Sequence, residues 1–409
     1  MNILYIASIF PTPQEGENLY TNLASELVES GHKVTVIVSE EKRKIDDTKV
    51  FRERNYNVIR VRTGNLYEIG SVEKAISFVT LQSKMKNAIN KYLSDEKFDM
   101  IVFMSPPVTM YSVVNFAMKK YNCFSYLMQK DIFPQNAVDL KIMTKCNPAY
   151  WYFRHKEKEL YKISTVIGCM SEKNKEYLLK HNKYLDCAKL QIFPNTTKLN
   201  REEEYIDDAM QIKRRYGIPE NRVIITYGGN FGKPQGIDFL IQILGVYKDN
   251  KNVEFLLVGK GTEKEKLYRY IKEKNIENVK LINFLNSEEF SKILKISDIG
   301  LVLLDYRFTI PNIPSKTLTY FKNRVPIMAA TDNNTDFKQM LEDSGAGLWC
   351  ESNDVYSFKE KLDFLIANKK VRKEMGENGR LFLEKNLTTE VSVKILEDTF
   401  RNLKNVNKC

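Results

Sequence analysis

Short apolar segments rich in β-branched residues alternate with longer helical patterns along almost the whole chain. The first half contains "ILYIASI", "KVTVIV", "DMIVFM", "FSYLMQ" and "STVIGCM", and the second half contains "VIITYGG", "VEFLLVG", "VKLINF", "IGLVLL" and "VPIMAA". Such alternation is typical of doubly wound parallel sheets flanked by helices. The sequence therefore predicts an α/β protein with two Rossmann-like halves, which meet near residues 194–205.

The length of 409 residues is too great for one ordinary core and favours two domains. We expect an N-terminal domain over residues 1–195 and a C-terminal domain over residues 196–385. The last residues, 386–409, should form a helix that crosses back and packs on the first domain. Ligands of open α/β sheets bind at the carboxyl ends of the strands, so we expect the two sheets to face each other across a cleft.

The charge is basic and unevenly distributed. The formal net charge is +11, and residues 1–200 hold 29 Lys and Arg against 21 Asp and Glu. A basic half can favour nucleic acid, an anionic membrane face or a phosphorylated substrate. A general lysine bias of the source organism explains the same excess equally well.

The six cysteines lie far apart and form no C-x-x-C pair, so neither a zinc site nor a disulfide framework is indicated. This pattern predicts a reducing compartment. The opening "MNILYIASIFPTP" lacks the basic start and long apolar core of a signal peptide, and no segment reaches the roughly 18 apolar residues of a membrane span. We therefore expect a soluble or peripheral protein.

Two loops of the second half have features of anion sites. In "TYGGNFGKPQG" a strand is followed by three glycines and Lys233, and glycines allow backbone amides to approach a phosphate. In "LVLLDYRFTIPNIPSKTLTYF" a strand, a loop and a helix opening on Pro314-Ser315-Lys316 follow one another. Both loops leave strand ends that should share one sheet edge. Together they predict a diphosphate site.

Two weaker features lie at other strand ends. "FLLVGKGTEKEKL" repeats the glycine theme at Gly259-Lys260-Gly261, and Thr262 with Glu265 matches a capping box at a helix start. In the first half, Gly16 lies between the first strand and the first helix, where it would face the cleft.

Lys130 and Asp131 end a strand that looks buried, in "SYLMQKDIFPQNAVDL". Charged side chains at a carboxyl strand end are well placed for work in a cleft, although an ion pair at a turn is an equal alternative. The three histidines lie in a turn or on charged helical faces, which disfavours a Ser-His or Cys-His nucleophile. The chain has no Asp-x-Asp and no cluster of metal ligands, so Lys, Arg and amide dipoles would have to neutralise a diphosphate.

These segments together resemble the retaining GT-B glycosyltransferases of family 4, and most closely the branch that builds bacterial capsule and O-antigen repeat units. The resemblance covers nearly the whole chain. It is carried by "SGHKVTVIV", "QKDIFPQNAVDL", "FPNTTK", "GNFGKPQGIDFLI", "VGKGTEKEKL" and "IPSKTLTYFKNRVPIMAA", which occur in the order of the family. Any one of these phrases is weak, and six in order are strong.

The resemblance implies transfer of a sugar from a nucleotide-diphosphate donor, most simply a UDP-sugar, with retention of configuration. The donor would lie on the C-terminal domain and a polyprenyl-diphosphate-linked saccharide acceptor on the N-terminal domain. No cofactor, metal ion or nucleic acid is expected. The protein is expected to work at an anionic membrane surface, on the cytoplasmic face of the cell membrane. The residues implied are, for catalysis, Lys130 and Asp131; for the diphosphate, Gly16, Gly232, Lys233, Ser315, Lys316 and Thr317; and for the nucleotide, Gly259, Lys260 and Thr319.

Two departures from the family pattern concern the site. The family commonly has two glutamates eight positions apart, and Pro311 and Thr319 stand at these positions here. Thr319 is a neutral partner for a ribose hydroxyl and should bind it more weakly than a carboxylate does. A cleft histidine of many members is replaced by Lys130.

Two alternatives share the expected fold. A sugar-nucleotide 2-epimerase needs acid and base groups at the sugar ring, which the scarcity of cleft histidines disfavours; it alone would convert UDP-GlcNAc without an acceptor. A non-catalytic, degenerate glycosyltransferase is supported by the missing glutamates and opposed by Lys233 and Lys316. Nucleic-acid binding rests only on net charge.

Two segments have the composition of a protein surface that binds a membrane. Residues 150–153 are Tyr, Trp, Tyr and Phe, and Arg154, His155, Lys156 and Lys158 follow. Aromatic residues beside cations suit a lipid headgroup region. The stretch Ser71 to Leu93 is an amphipathic second candidate, although such spacing more often marks a helix packed on its own core.

Overall fold

In the computed structural model, the chain divides into two compact units: residues 1–198 with 389–409, and residues 199–388. The structure describes residues 1–65, 70–199 and 209–406. The side chains at 71, 72, 74 and 75 are also outside the description. The acidic stretch at 201–208, next to the expected domain boundary, therefore lies outside the described residues.

Unit 1 contains one sheet covered by helices. Its strands, within the described residues, are β1 (Asn2–Ala7), β2 (Lys33–Glu41), β3 (Lys49–Glu53), β4 (Tyr56–Thr63), β5 (Met100–Ser105), β6 (Phe124–Gln129), β7 (Val166–Cys169) and β8 (Leu190–Ile192). The helices are α1 (Leu19–Glu29), α2 (Ser71–Tyr92), α3 (Tyr111–Tyr121), α4 (Gln135–Asp139), α5 (Pro148–Ile163) and α6 (Glu172–His181). The strand order is β3-β4-β2-β1-β5-β6-β7-β8. Only β3 pairs antiparallel among the described strands.

Unit 2 contains a parallel sheet of order β11-β10-β9-β12-β13-β14. Its strands are β9 (Val223–Asn230), β10 (Val253–Lys260), β11 (Val279–Ile282), β12 (Ile299–Leu303), β13 (Ile327–Thr331) and β14 (Gly347–Glu351). Its helices are α7 (Ala209–Tyr216), α8 (Ile237–Tyr247), α9 (Lys264–Glu273), α10 (Ser287–Lys295), α11 (Lys316–Lys322), α12 (Phe337–Ser344), α13 (Val355–Ala367) and α14 (Lys369–Asn386). The predicted α/β class is confirmed, with buried strands such as "IGLVL" reading as continuous apolar runs because both faces are covered.

The last helix, α15 (Thr389–Val406), returns to unit 1. Val393 and Leu396 of α15 are buried in the same apolar cluster as Leu23 and Leu27 of α1. The helix predicted over residues 386–409 starts instead at Thr389, and residues 387–388 separate it from α14. No helix in the described part of the chain is long and apolar enough to cross a membrane.

Candidate functional site

The strand order of unit 2 reverses between β9 and β12, which are neighbours in the sheet. The loops that follow these two strands leave toward opposite sides, and the crevice between them is the usual ligand site of an open α/β sheet. The two loops are joined directly, because the Asp305 N–H donates to the Pro234 carbonyl at 3.0 Å. Gly236 has φ +57°, and a Cβ there would lie 3.1 Å from the Leu304 carbonyl oxygen. Glycine therefore suits this position, because any other side chain would have a rare backbone conformation and a tight contact with the neighbouring loop.

Lys316, the first residue of α11, points into this crevice. Its Nζ donates to Gln235 Oε1 at 2.7 Å and lies 4.0 Å from the centre of the Tyr227 ring. The residue as a whole is half-buried, but its ammonium end is enclosed, and burial lowers the pKa of Lys316 to about 7. Among the described residues no carboxylate pairs with it. A cation held without a counter-ion at a strand end is suited to an anionic ligand.

Backbone carbonyls and amides of the β9 loop, next to this lysine, are held by hydrogen bonds. The Tyr227 hydroxyl donates to the Asn230 carbonyl at 2.8 Å, and the Phe231 N–H donates to the Lys260 carbonyl at 2.8 Å. Gly232 is buried, with extended backbone at φ −117°. Lys233 follows as the exposed first residue of a short 3-10 turn, two residues before Gln235. The structure thus places Lys233 and the partner of Lys316 in the same turn.

The other predicted residues of α11 have different surroundings. Ser315 is exposed and its side chain caps no amide, while the Thr317 N–H donates to the Pro314 carbonyl at 3.2 Å. The Thr317 hydroxyl is buried without a hydrogen-bond partner. Thr319 is half-buried, and its carbonyl accepts from the Asn323 amide at 2.8 Å. At this helix start, Lys316 is therefore the group with the clearest capacity for an anion.

The predicted nucleotide residues Gly259 and Lys260 end the neighbouring strand β10. Gly259, with φ +156°, packs on the β9 loop so closely that a Cβ would lie 1.8 Å from the Gly229 carbonyl oxygen. The exposed Lys260 has its Nζ 4.7 Å from the centre of the Phe284 ring. Phe284 is an exposed aromatic residue just beyond β11. The glycine serves the contact between loops, and the lysine and phenylalanine form an open face at the sheet edge.

The capping box predicted at Thr262 is wrong. Helix α9 begins at Lys264, and its N-cap is Glu263, whose side chain caps no amide. The Glu263 N–H instead donates to the Phe231 carbonyl at 2.8 Å. Gly261, with φ +154°, packs so closely on this loop that a Cβ would lie 2.4 Å from the Phe231 carbonyl oxygen, and the helix starts one residue later than predicted.

Gly16 lies in unit 1, in the loop between β1 and α1, whereas the other predicted diphosphate residues lie in unit 2. Its φ is +99° and its carbonyl accepts from Arg54 Nη2 at 2.7 Å. Arg54 Nη1 also donates to the Pro11 carbonyl at 3.1 Å, and the buried Arg60 donates to the Phe10 carbonyl at 3.0 Å. Two guanidinium groups therefore fix the conformation of this loop.

Lys130 and Asp131 follow β6 directly, at the carboxyl edge of the unit 1 sheet. Lys130 Nζ donates to Asn195 Oδ1 at 2.8 Å and lies 5.6 Å from the centre of the Phe193 ring. Burial lowers the pKa of Lys130 to about 7, against the smaller opposing effect of Asp131. Burial raises the pKa of Asp131, and Lys130 counteracts this. The pair titrates closer to neutrality than exposed groups would, which is common at functional sites.

Metal ligands do not gather in the described part of the chain, where no three His, Cys, Asp or Glu residues could hold an ion together. Asp305, in the loop that follows β12, is an acidic residue beside the crevice. Arg307 donates to both of its carboxylate oxygens at 2.7 Å. Five of the six cysteines, at positions 123, 146, 169, 187 and 350, are free thiols.

Sequence reasoning did not identify Tyr227, Gln235 or Phe284. Gln235 lies within the quoted glycine-rich loop, so its polarity was an available signal. Tyr227 belongs to an apolar strand, and nothing in the sequence distinguishes it from a core residue. Phe284 follows a strand end among polar residues, which is a weak sign of an exposed aromatic.

Known proteins resemble the chain in both sequence and fold. Residues 208–382 match the family model of glycosyl transferases group 1. Over 273 residues the chain is 23% identical to the probable glycosyltransferase WbjE of Pseudomonas aeruginosa, and this alignment covers 66% of each protein. It is 26% identical over 125 residues, 30% of each protein, to WcaI of Escherichia coli K12, a putative colanic acid biosynthesis glycosyl transferase. The chain therefore aligns with at most about two thirds of the length of these two relatives.

The crystal structure of Anabaena HepE in complex with UDP-glucose has a TM-score of 0.71 at 12% identity, covering 98% of this chain and 100% of HepE. This likeness shows the fold, which is GT-B. The matched family model covers most of unit 2 and includes Lys233, Gln235 and Lys316. Residues 208–382 are thus similar in sequence to glycosyl transferases group 1.

Proposed function

We propose that the protein transfers a sugar from a nucleotide-diphosphate donor to a polyprenyl-diphosphate-linked saccharide, with retention of configuration, in bacterial capsule or O-antigen synthesis. The observation that carries the proposal is the Lys316 ammonium, enclosed by Tyr227 and Gln235 at the β9–β12 crossover without a carboxylate partner among the described residues. A diphosphate would supply the missing counter-charge.

The donor is proposed to be a UDP-sugar, because HepE, of the same fold, binds UDP-glucose. Lys316 would contact the diphosphate from the crevice floor, and the exposed Lys233 would approach it from the turn above Gln235. Lys260 and Phe284 would offer an open face to the nucleotide. Thr319 would be a neutral hydrogen-bonding partner for the ribose.

Departure of the nucleoside diphosphate creates negative charge on its terminal phosphate. Two lysines that stabilise this charge lower the barrier without a metal ion, because they act in a partly water-excluded site. The proposed enzyme therefore needs no metal ion. Transfer should persist at the same rate in EDTA, and transfer that disappears in EDTA and returns with Mg²⁺ would contradict metal independence while leaving the donor site intact.

The acceptor is proposed to bind unit 1, where Lys130 and Asp131 end β6 and Gly16 lies in the loop held by Arg54. Positioning of the attacking hydroxyl supplies much of the rate in such a reaction. WcaI is named for colanic acid biosynthesis, which supports a lipid-linked polysaccharide precursor as the acceptor class. Such acceptors would place the protein peripherally on the cytoplasmic face of the cell membrane.

A mass-spectrometric screen tests the proposal directly. Purified protein is incubated with a panel of UDP-, GDP- and dTDP-sugars and a short polyprenyl-diphosphate saccharide. The expected result is a mass gain of one sugar on the acceptor, with the donor configuration at the new linkage by NMR. Conversion of UDP-GlcNAc to a second nucleotide sugar without acceptor would show an epimerase instead. Tight UDP binding without transfer to any lipid acceptor would indicate a non-catalytic protein.

A further inference from the structure

Strands β9 and β12 pair with each other over only part of their length. The last pair in their register is Gly300 with Thr226. Beyond this pair β9 continues to Asn230, still paired with β10, and β12 continues to Leu303, still paired with β13. The two strands therefore part from each other while each keeps its outer neighbour. We call the gap between them the β9–β12 fork, and the crevice of the candidate site opens from it.

The hydroxyl group of Tyr320, on α11, lies inside the fork. It accepts from the Gly228 N–H of β9 at 3.1 Å. It donates either to the Thr226 carbonyl of β9 at 3.1 Å or to the Leu301 carbonyl of β12 at 3.2 Å. All three partners are backbone groups of the two parting strands. The phenol thus supplies hydrogen bonds at the point where the pairing of β9 with β12 ends.

The surroundings of Tyr320 hold its ring in this position. The side chain is fully buried, and a Cβ on Gly300 would lie 2.8 Å from the ring, so the ring packs directly on the backbone of β12. Burial raises the pKa of Tyr320. The hydroxyl therefore keeps its proton at neutral pH, and it can accept from one strand while it donates to a carbonyl.

Tyr320 and Lys316 lie four residues apart on α11, and hence on one face of the helix. They contact consecutive residues of β9, because the Lys316 Nζ lies 4.0 Å from the centre of the Tyr227 ring and Tyr320 binds the Gly228 N–H. Gly229 comes next, and a Cβ there would lie 3.5 Å from the Lys316 Nζ. Gly229 is exposed, so its missing side chain leaves the ammonium open to an anion on this side.

We propose that Tyr320 is a positioning residue of the donor site, whose hydroxyl holds the β9–β12 fork at the width at which Lys316 can contact a diphosphate. The inference deepens the proposed function and rests on it. Tyr320 acts through Lys316 and does not itself touch the donor. A phenylalanine would keep the ring but would leave the buried Gly228 N–H without its partner. The strands and α11 would then shift to satisfy this group, and the ammonium would move with them.

Calorimetry of UDP binding is the first test. Tyr320→Phe should raise the Kd for UDP about fivefold, because the displaced ammonium makes a poorer contact with the diphosphate. Tyr247→Phe is the matched control, since Tyr247 is buried in the same unit and its hydroxyl donates to Asp363 at 2.7 Å. Both variants should unfold at lower urea concentration than the wild type, and only Tyr320→Phe should lose UDP affinity. Wild-type UDP affinity in a destabilised Tyr320→Phe would show a purely structural role and overturn the proposal.

A double-mutant cycle tests whether the tyrosine acts through the lysine. In the Lys316→Met background, Tyr320→Phe should weaken UDP binding less than about twofold, because no ammonium is left to position. The same fivefold loss in both backgrounds would mean that Tyr320 acts independently of Lys316, and the proposal would be wrong.

Titration of Lys316 without ligand separates this inference from the proposed function. In protein labelled at lysine Cε for NMR, the Lys316 signal is the one that is missing in Lys316→Met, and it should report a pKa of about 7 in the wild type. In Tyr320→Phe this pKa should move toward the ordinary value of 10.5, since a displaced ammonium gains water. In Tyr247→Phe it should stay unchanged.

The two kinds of failure then look different. A wild-type protein that binds no UDP, but whose Lys316 titration shifts in Tyr320→Phe, would refute the proposed donor site and leave Tyr320 as the residue that positions the ammonium. A Lys316 titration that is the same in the wild type and in Tyr320→Phe would overturn the positioning role, whether or not UDP binds.

Discussion

Replacement of Lys316 by Met should weaken UDP binding and at the same time stabilise the unliganded protein. In the complex, the lysine would make a charge-assisted contact worth about 1.5–3 kcal/mol, so its loss should raise the Kd for UDP about tenfold to a hundredfold. In the free protein, the same ammonium is enclosed, and Gln235 is its only hydrogen-bond partner among the described residues. Removal of this charge should raise the unfolding free energy of unit 2 by on the order of 1 kcal/mol, after allowance for the lost hydrogen bond.

The direction in which the pKa of Lys316 shifts determines how the stability gain and the UDP affinity depend on pH. The pKa of Lys316 is lowered from 10.5 to about 7 in the folded protein. Between these pH values the unfolded chain binds a proton that the folded protein does not, so the destabilisation by Lys316 is complete below pH 7 and disappears as the pH rises toward 10.5. The gain in stability from Lys316→Met should therefore be largest at pH 7 and below.

Ligand binding should reverse this shift, because a diphosphate beside the amine favours its charged form. Above pH 7 the binding of UDP should therefore take up a proton, and affinity should fall as the pH rises. Calorimetry of UDP binding at pH 8, in buffers of different ionisation enthalpy, measures this uptake. Lys316→Met should abolish it, and Lys369→Met, at the exposed start of α14, should not. The reasoning would be refuted by equal UDP affinity of wild type and Lys316→Met, or by wild-type binding without proton uptake.

Three further changes test other parts of the structure. Lys233→Ala should weaken UDP binding about fivefold at low salt and less at high salt, because this lysine is exposed and its charge is screened; unchanged affinity at low salt would remove it from the site. Asp131→Asn should lower kcat far more than UDP affinity, because it lies in unit 1 and Lys316 in unit 2; turnover at the wild-type level would exclude Asp131 from the reaction. Glu53→Ala should destabilise unit 1 by about 2 kcal/mol in denaturant unfolding, since the buried Arg60 would lose the carboxylate that binds it at 2.8 and 2.9 Å and would retain Glu40 at 2.9 Å. Glu96→Ala, which removes an exposed partner of Lys33, is the control and should cost less than about 1 kcal/mol.

The sequence was sufficient for the features that depend on local periodicity. The alternation of strands and helices and the helix start at Pro314-Ser315-Lys316 depend on neighbouring residues, and the structure has both. The Thr262 cap failed because the contact that decides it is distant, with Phe231 on another loop. Strand β3 was not predicted, since its short charged sequence "KVFRE" gains its order from pairing with β4.

The candidate site shows the same division. Glycines and lysines at strand ends mark Lys233 and Lys316, but the enclosure of Lys316 depends on β9 lying next to β12, some seventy residues later in the chain. No local pattern contains that adjacency. In the same way, four aromatic residues in succession announce a surface at 150–153, yet only the fold decides that Tyr150 is buried while Trp151 is exposed.

Because α15 belongs to unit 1, the chain builds that unit from its two extremes and inserts unit 2 between them. Three hydrogen bonds join α15 to earlier parts of unit 1: Thr389 donates to Glu26 at 3.1 Å, Gln191 donates to Thr399 at 2.8 Å, and His32 contacts Glu397 at 2.8 Å. Residues that are synthesised early therefore gain these contacts only after the end of the chain has been synthesised. Unit 2 is continuous and can fold on the ribosome while the apolar face of α1 is still uncovered. The final helix therefore acts as a completion signal: a chain whose synthesis stops at Asn386 carries an intact inserted unit on a first unit with an open core, which is the exposed apolar surface that chaperones and proteases recognise.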